Sequence, residues 1–172
     1  MFDVIVLGGG PGGYLAAERA GQAGLATLLI EKNKLGGVCL NEGCIPSKTL
    51  LNSAKIYDHA RNGAKYGVTA ENARIDQTAV VARKNKVVKT LVSGVGAAMK
   101  AAKVEVKTGL GEIVGRDAEG VVRVKVGDET FEGRRLIVAT GSEAVVPPIP
   151  GVKEGMAQGT VLTNREILDL QS

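Results

Sequence analysis

Both cysteines of this 172-residue chain lie in one short stretch, Gly36-Gly37-Val38-Cys39-Leu40-Asn41-Glu42-Gly43-Cys44-Ile45-Pro46-Ser47-Lys48. Two thiols five residues apart can cycle between dithiol and disulfide and so carry two electrons. Along an ideal helix five residues span ~7.5 Å, beyond the ~5.5–6 Å Cα separation usual for a disulfide. A Cys39–Cys44 bridge therefore needs a non-ideal turn, for which Gly43 supplies backbone freedom. Pro46 fits the first turn of a helix starting near Ile45. Cys44 is then expected at a helix N-terminus, where the dipole favours thiolate, with the positive charge of Lys48 one turn on. No metal site is expected: His59, the only histidine, stands well away, and two more ligands would be needed.

The elements around this segment read as alternating strands and helices. Phe2–Leu7 is a near-continuous apolar run suited to the middle of a parallel sheet. A glycine turn follows, and then Leu15, Ala16, Ala20 and Ala23 mark the apolar face of a helix ending at Gly24. Residues 26–30 form a second apolar strand, completing a βαβ unit. Leu50, Leu51, Ala54 and Tyr57 continue a helical face after the cysteines. A long helix is expected over residues 76–102, its apolar face formed by Val80, Val87, Val88, Leu91, Val95, Met99 and Ala102. Residues 104–106 read as a third parallel strand. The alternation of Val122-Arg123-Val124-Lys125-Val126 between turn residues reads as a small antiparallel meander with one wet face. Residues 136–139 return to a buried strand. Pro147, Pro148 and Pro150 mark an exit linker, and Thr163 with Glu166 forms a capping box for a last short helix.

Gly8-Gly9-Gly10-Pro11-Gly12-Gly13 fits G-x-G-x-x-G between the first strand and first helix. Gly8 permits the sharp turn, Gly10 lets the backbone approach a pyrophosphate at the helix N-terminus, and Gly13 allows close helix–strand packing. Ala17, one turn later, is another small residue that helps that approach. Glu31 lies where an acid accepts hydrogen bonds from a ribose diol. Strand, helix and terminal acid together give the context the motif requires. The glycine pattern alone does not separate FAD from NAD.

Composition bounds the rest. A 44% hydrophobic content, 24 glycines and 3% aromatics suit an α/β domain and exclude a disordered chain. The net charge of +4 is mild. The basic run Arg83-Lys84-Asn85-Lys86 with Lys89 reads as a solvated helix face, since no aromatics interleave for base stacking, and no nucleic-acid partner is expected. No signal peptide is visible and no apolar run approaches ~18 residues, so a cytoplasmic protein without a membrane span is expected.

The cysteine segment, the glycine turn and Thr140-Gly141-Ser142 after an apolar strand resemble the class I pyridine nucleotide-disulfide oxidoreductases, and among them the dihydrolipoamide dehydrogenase branch. Ile45-Pro46-Ser47-Lys48 fits that branch better than glutathione reductases, while a mercuric reductase type stays open. The resemblance implies an α/β, Rossmann-like FAD-binding domain with a mostly parallel sheet, helices on its faces and a small antiparallel β-meander. It implies that Gly8, Gly10, Pro11, Gly12, Gly13, Glu31, Lys32, Gly37, Lys48, Gly111, Thr140, Gly141 and Ser142 hold FAD, with Gly109-Leu110-Gly111 as the turn near the adenine. Cys39 would be the interchange thiol, Cys44 the thiol against the flavin, and Lys48 a charge beside it. The implied activity is oxidation of dihydrolipoamide, free or on a lipoyl domain of 2-oxoacid dehydrogenase complexes or the glycine cleavage system. Electrons would pass through FAD to NAD+.

Members of that family are far longer. Residues 1–146 are expected to be the first segment of the FAD-binding domain, and 147–172 an exit linker and the start of an NAD-binding domain. A second G-x-G-x-x-G is absent. Gly127-Asp128 lacks the surroundings of the family's later flavin-contacting motif, and His59 those of its acid–base histidine. The chain is therefore expected to be the N-terminal part of a larger, homodimeric enzyme, and to be inactive alone. Two other readings stay open: a non-catalytic FAD- or nucleotide-binding module, and a flavin-free disulfide exchanger.

Overall fold

The computed structural model describes residues 1–171; Ser172, the last residue of the expected tail, lies outside the described residues. Six strands form one sheet: β1 (Phe2–Leu7), β2 (Thr27–Glu31), β3 (Glu105–Thr108), β4 (Gly111–Arg116), β5 (Val122–Val126) and β6 (Glu129–Val138). Their spatial order is β3-β2-β1-β6-β5-β4. The helices are α1 (Pro11–Gln22), α2 (Gly37–Glu42), α3 (Cys44–Asn62), α4 (Gln77–Ala101), α5 (Val152–Ala157) and α6 (Asn164–Ile167), with a 3-10 turn at Gly63–Tyr66. Two compact units share the chain: Met1–Asn41 with Thr90–Ser142, and Glu42–Lys89 with Glu143–Ser172.

The first unit holds the whole sheet. β1 pairs in parallel with β2 on one side and β6 on the other, and β2 pairs in parallel with β3. Burial on both faces explains why β1 and β2 carry continuous apolar runs. Val4, Val6 and Leu29 face one cluster with Ala17 of α1 and Met99 of α4. Ile5, Leu7, Leu28 and Ile30 face another with Val124 and Val126 of β5. β6 joins the parallel and antiparallel parts: Gly133 is in register with both Phe2 of β1 and Val122 of β5. Because Val124 touches the cluster of β1 and β2, the antiparallel hairpin curls back over that face. The α/β, Rossmann-like reading with an antiparallel meander holds.

Several finer expectations need correction. Leu15, at 49% exposure, and Ala23 do not form the buried face of α1; Gly13 and Ala17 do. A Cβ at Gly21 would collide with the Ala102 carbonyl, so this helix lies too close to its neighbours for larger side chains. β6 is one ten-residue strand, and its end is not buried: Ile137 and Val138 are exposed. Leu91 of α4 is exposed as well, although Val95 and Met99 are buried as expected.

In the second unit α3 buries Pro46 and Thr49, while Leu51 and Ala54, expected on its apolar face, are exposed. The basic run is not uniformly solvated. Lys84 is 3% exposed and pairs with Asp169, a partner 85 residues away that a helical pattern does not reveal. The tail holds two short helices. α5 follows the proline run, and α6 carries the expected capping box, in which Arg165 N–H donates to the Thr163 hydroxyl and Glu166 accepts from Thr163 N–H. No helix among the described residues is long and apolar enough to cross a membrane.

Candidate functional site

The glycine turn of the first unit is shaped by two kinds of glycine. Gly8 has φ +106°, and a Cβ there would strike the Ala139 carbonyl; one at Gly13 would strike the Gly8 carbonyl. These two glycines are required by the fold itself. Gly10 and Gly12 differ. Neither has positive φ, and an added Cβ would meet nothing nearer than the Gly37 Cα at 3.8 Å and the Ala139 Cβ at 4.0 Å respectively. An added methyl group would make only ordinary contacts at those distances, so there is room beside both. Gly10 is the N-cap of α1, with Pro11 starting the helix, so free backbone N–H groups border that space. This is the shape and polarity a pyrophosphate group takes, so the residues present fit a dinucleotide.

Three turns gather around this one. Glu31, at the end of β2, accepts from the Gly9 N–H through Oε2 at 2.6 Å and from the Asn33 N–H through Oε1 at 2.8 Å. Its carboxylate thus braces the turn while keeping lone pairs for a ribose. Gly109 N–H donates to the Glu31 carbonyl at 2.9 Å, which brings the 109–111 turn beside the acid. The Cβ position of Gly111 is taken by Leu7 and Ile30 side chains, so core packing demands that glycine. Ala139 and Thr140 lie against Gly8. Gly141 follows with φ +74°, and Thr140, Gly141 and Ser142 are exposed or half-buried, as is Lys32 after β2.

Cys39 enters on α2, half-buried. Its segment starts with two left-handed glycines, Gly36 at φ +93° and Gly37 at φ +55°. Gly36 N–H donates to the Gly9 carbonyl at 2.8 Å, and Gly37 packs so tightly on Gly10 that a Cβ would sit 2.6 Å from its Cα. The Asn41 side-chain amide donates to the Leu35 and Gly37 carbonyls at 3.1 and 2.9 Å. Asn41, part of the motif but without a role legible in the sequence, is therefore the strap of this turn.

In the second unit the helix break falls where the spacing requires it. Gly43, at φ −146° and ψ −110°, caps α3, and Cys44 is the first helical residue, exposed. Ser47 N–H donates back to the Gly43 carbonyl at 3.0 Å. Lys48 lies one turn along, and Thr49 donates to the Ile45 carbonyl at 2.8 Å. Glu42, next to the break, is gripped from the tail: Asn164 Nδ2 donates to its carbonyl at 2.9 Å and Arg165 Nε to its carboxylate at 2.6 Å. That hydrogen bond and the carboxylate's charge raise the Arg165 pKa above its ordinary value. Asn164 and Arg165 lie over 120 residues from Glu42, and sequence reasoning missed both. His59 lies on exposed surface near the end of α3, beside an open groove of about 490 Å³ lined also by Asp58, Asn62, Lys65 and Tyr66.

A parallel α/β sheet with an open glycine turn at the first strand–helix junction, followed by a dithiol segment, defines a dinucleotide-binding redox domain. The sequence matches the pyridine nucleotide-disulphide oxidoreductase family over residues 2–172, and the chain belongs to it. That family uses FAD, with NAD(H) as co-substrate. The dihydrolipoyl dehydrogenase of Acholeplasma laidlawii is 45% identical over 172 residues, covering 99% of this chain and 50% of that protein. Its counterpart in Mycoplasma genitalium is 40% identical over 171 residues, covering 99% and 36%. Among solved structures, LpdA from Mycobacterium tuberculosis superposes with TM-score 0.84 at 25% identity, covering all of this chain and 38% of that one. The flavoprotein disulfide reductase RclA from Escherichia coli gives 0.78 at 26%, covering 99% and 34%. The chain thus spans half or less of the length of these relatives.

Proposed function

We propose that this chain is the FAD-binding, dithiol-bearing part of a dihydrolipoyl dehydrogenase-type enzyme. In this reading residues 1–146 are the first segment of the FAD domain and 147–172 lead out of it. The observation that carries the reading is the pair of cysteines on successive helices broken at Gly43, in a chain whose glycine turn leaves Gly10 and Gly12 open. Gly8, Gly10, Pro11, Gly12 and Gly13 would hold the pyrophosphate and Glu31 the ribose. Gly37, Lys32, Lys48, Gly111 and 140–142 would line the rest. When bound, FAD supplies the two-electron acceptor that a dithiol pair lacks.

The chain's own chemistry is thiol–disulfide exchange. With the pair oxidised, a dihydrolipoyl thiolate attacks the Cys39 sulfur, breaking the Cys39–Cys44 bond and releasing Cys44 as thiolate. The second dihydrolipoyl thiol, losing its proton to a base, attacks the substrate sulfur of the mixed disulfide, and Cys39 leaves. Two electrons have then moved from the substrate to the pair, and the substrate has closed as a disulfide. The substrate class is a dihydrolipoyl group, free or on a lipoyl domain of a 2-oxoacid dehydrogenase complex or the glycine cleavage system. NAD+ is the final acceptor, in a cytoplasmic homodimer. The 172 residues alone are expected to give no steady-state NADH production.

A visible absorbance titration tests this. The FAD-loaded protein should gain a long-wavelength shoulder on addition of dihydrolipoamide, and Cys44→Ser should keep the flavin bands but lose the shoulder. A flavin spectrum indifferent to dithiol would indicate a binding module instead. A colourless protein with a reactive thiol would indicate a flavin-free exchanger.

A further inference from the structure

The loop that enters α2 is tied into a block, and that block grips the glycine turn of the same compact unit. The Asn41 side-chain amide donates to the Leu35 and Gly37 carbonyls, and Leu40 N–H donates to the Gly36 carbonyl at 3.3 Å. Gly36 and Gly37 both have left-handed φ and no side chain to hold that path themselves. The block meets the glycine turn at three successive residues. Leu35 Cδ2 lies 2.9 Å from the position a Cβ on Gly9 would take, Gly36 N–H donates to the Gly9 carbonyl, and Gly37 packs on Gly10. Glu31 takes the Gly9 N–H. Both backbone polar groups of Gly9 are therefore engaged, which sets the path of the chain into Gly10, the N-cap of α1.

We infer that Asn41 is a positioning residue for the pyrophosphate of the dinucleotide: it braces residues 35–37, and through them holds the turn at Gly8–Gly10 in its receptive shape before the ligand arrives. The conformation in which the Asn41 bonds are made is the one with room beside Gly10 and Gly12. A turn released from the block spends part of its time in other conformations, and the apparent affinity falls by the fraction of receptive molecules lost. Asn41 acts through backbone alone and needs no contact with the ligand. The inference rests on the FAD-binding reading proposed above.

Titration of flavin-free protein with FAD, read by flavin fluorescence well below the unfolding midpoint, tests this beside thermal unfolding of the same samples. Asn41→Leu and Asn41→Asp should each weaken FAD binding about three- to tenfold, the effect of one or two lost hydrogen bonds. Asn41→Asp keeps nearly the same shape but sets an ionised, donor-free carboxylate against two carbonyl oxygens. It should therefore bind FAD no better than Asn41→Leu, whereas a packing role gives the reverse order. In the flavin-free parent the Gly36 amide should already exchange at least about tenfold more slowly than its intrinsic rate. The inference is overturned by FAD affinity of Asn41→Asp within about 1.5-fold of the parent, whether or not its unfolding midpoint falls. A Gly36 amide that exchanges at the intrinsic rate in the flavin-free parent overturns it too, with no variant needed. A parent protein that takes up no FAD overturns instead the reading on which the inference stands.

Discussion

A glycine with φ in the left-handed region, or whose Cβ position is taken by backbone, belongs to the fold; one with ordinary φ and room for a methyl group belongs to whatever lies beside it. Gly13 is of the first kind and Gly10 of the second. Gly13→Ala forces a methyl group into the Gly8 carbonyl and is expected to cost about 1–3 kcal/mol of stability. Gly10→Ala meets no backbone clash; the cost of alanine at the N-cap of α1 opposes the gain from a less free unfolded chain, so the apo protein should stay within about 1 kcal/mol of the parent. Its effect should fall on flavin retention, lowered at least tenfold. Thermal unfolding of flavin-free protein, beside flavin content after gel filtration, separates the two; equal destabilisation by both variants would refute the distinction. The sequence motif names all these glycines without sorting them. Sorting needs the positions of Ala139 and Gly8, which lie in other turns. Glu31 stands out in the sequence as a candidate ribose acid, but its brace to Gly9 does not, since a motif does not show what a carboxylate does before a ligand arrives.

Elements built from local signals are legible in the sequence, and those built from distant pairings are not. The capping box of α6 is a four-residue pattern, and it forms as expected. Its pH dependence comes from Glu166, whose carboxyl lies below its ordinary 4.5, first through the Thr163 hydroxyl and then through the Thr163 N–H. A folded pKa lower than the unfolded one means that the stabilisation is complete above about pH 4.5 and disappears as pH falls through the depressed value. Amide exchange at Thr163, whose N–H donates to Glu166 Oε2, should therefore stay slow at about pH 6 and accelerate beyond the intrinsic rate as the pH falls through that depressed value, while Glu166→Gln shows no such step. Lys84 escapes a sequence reading for the opposite reason: its partner Asp169 is 85 residues away. Truncating the partner, Asp169→Ala, leaves a near-buried ammonium without its carboxylate and is expected to cost about 2–3 kcal/mol in urea unfolding. Replacing both, Lys84→Met with Asp169→Ala, should recover most of that loss, because an apolar side chain at the buried Lys84 position leaves no charge there without its partner, while Asp169 itself is mostly exposed. A double variant no better than Asp169→Ala would show that Lys84 is held by something other than this ion pair.

At the scale of the molecule, each compact unit is assembled from two stretches of chain, and residues 143–150 carry the chain from the sheet unit to the tail without regular structure. Residues 141–150 are exposed throughout, with Val145 at 87%. Thermolysin, which cleaves before bulky apolar residues, is expected to nick first at Val145. The fate of the severed tail depends on how strongly it is held. Among the described residues its contacts include two side-chain hydrogen bonds to carbonyls, one partly exposed ion pair, the Lys84–Asp169 pair and the burial of Leu168. At ordinary strengths they total about 5 kcal/mol. That lies between the ~4 kcal/mol of millimolar binding and the ~8 kcal/mol of micromolar binding. A tail joined by a short linker experiences a millimolar effective concentration and stays docked; a severed one at about ten micromolar does not. Nicking is therefore expected to release the tail on gel filtration at micromolar protein. A severed tail that co-elutes with the rest at micromolar concentration would mean that the hold on the tail exceeds these contacts by at least about 3 kcal/mol. The tail would then belong to the core of its unit rather than acting as a strap upon it.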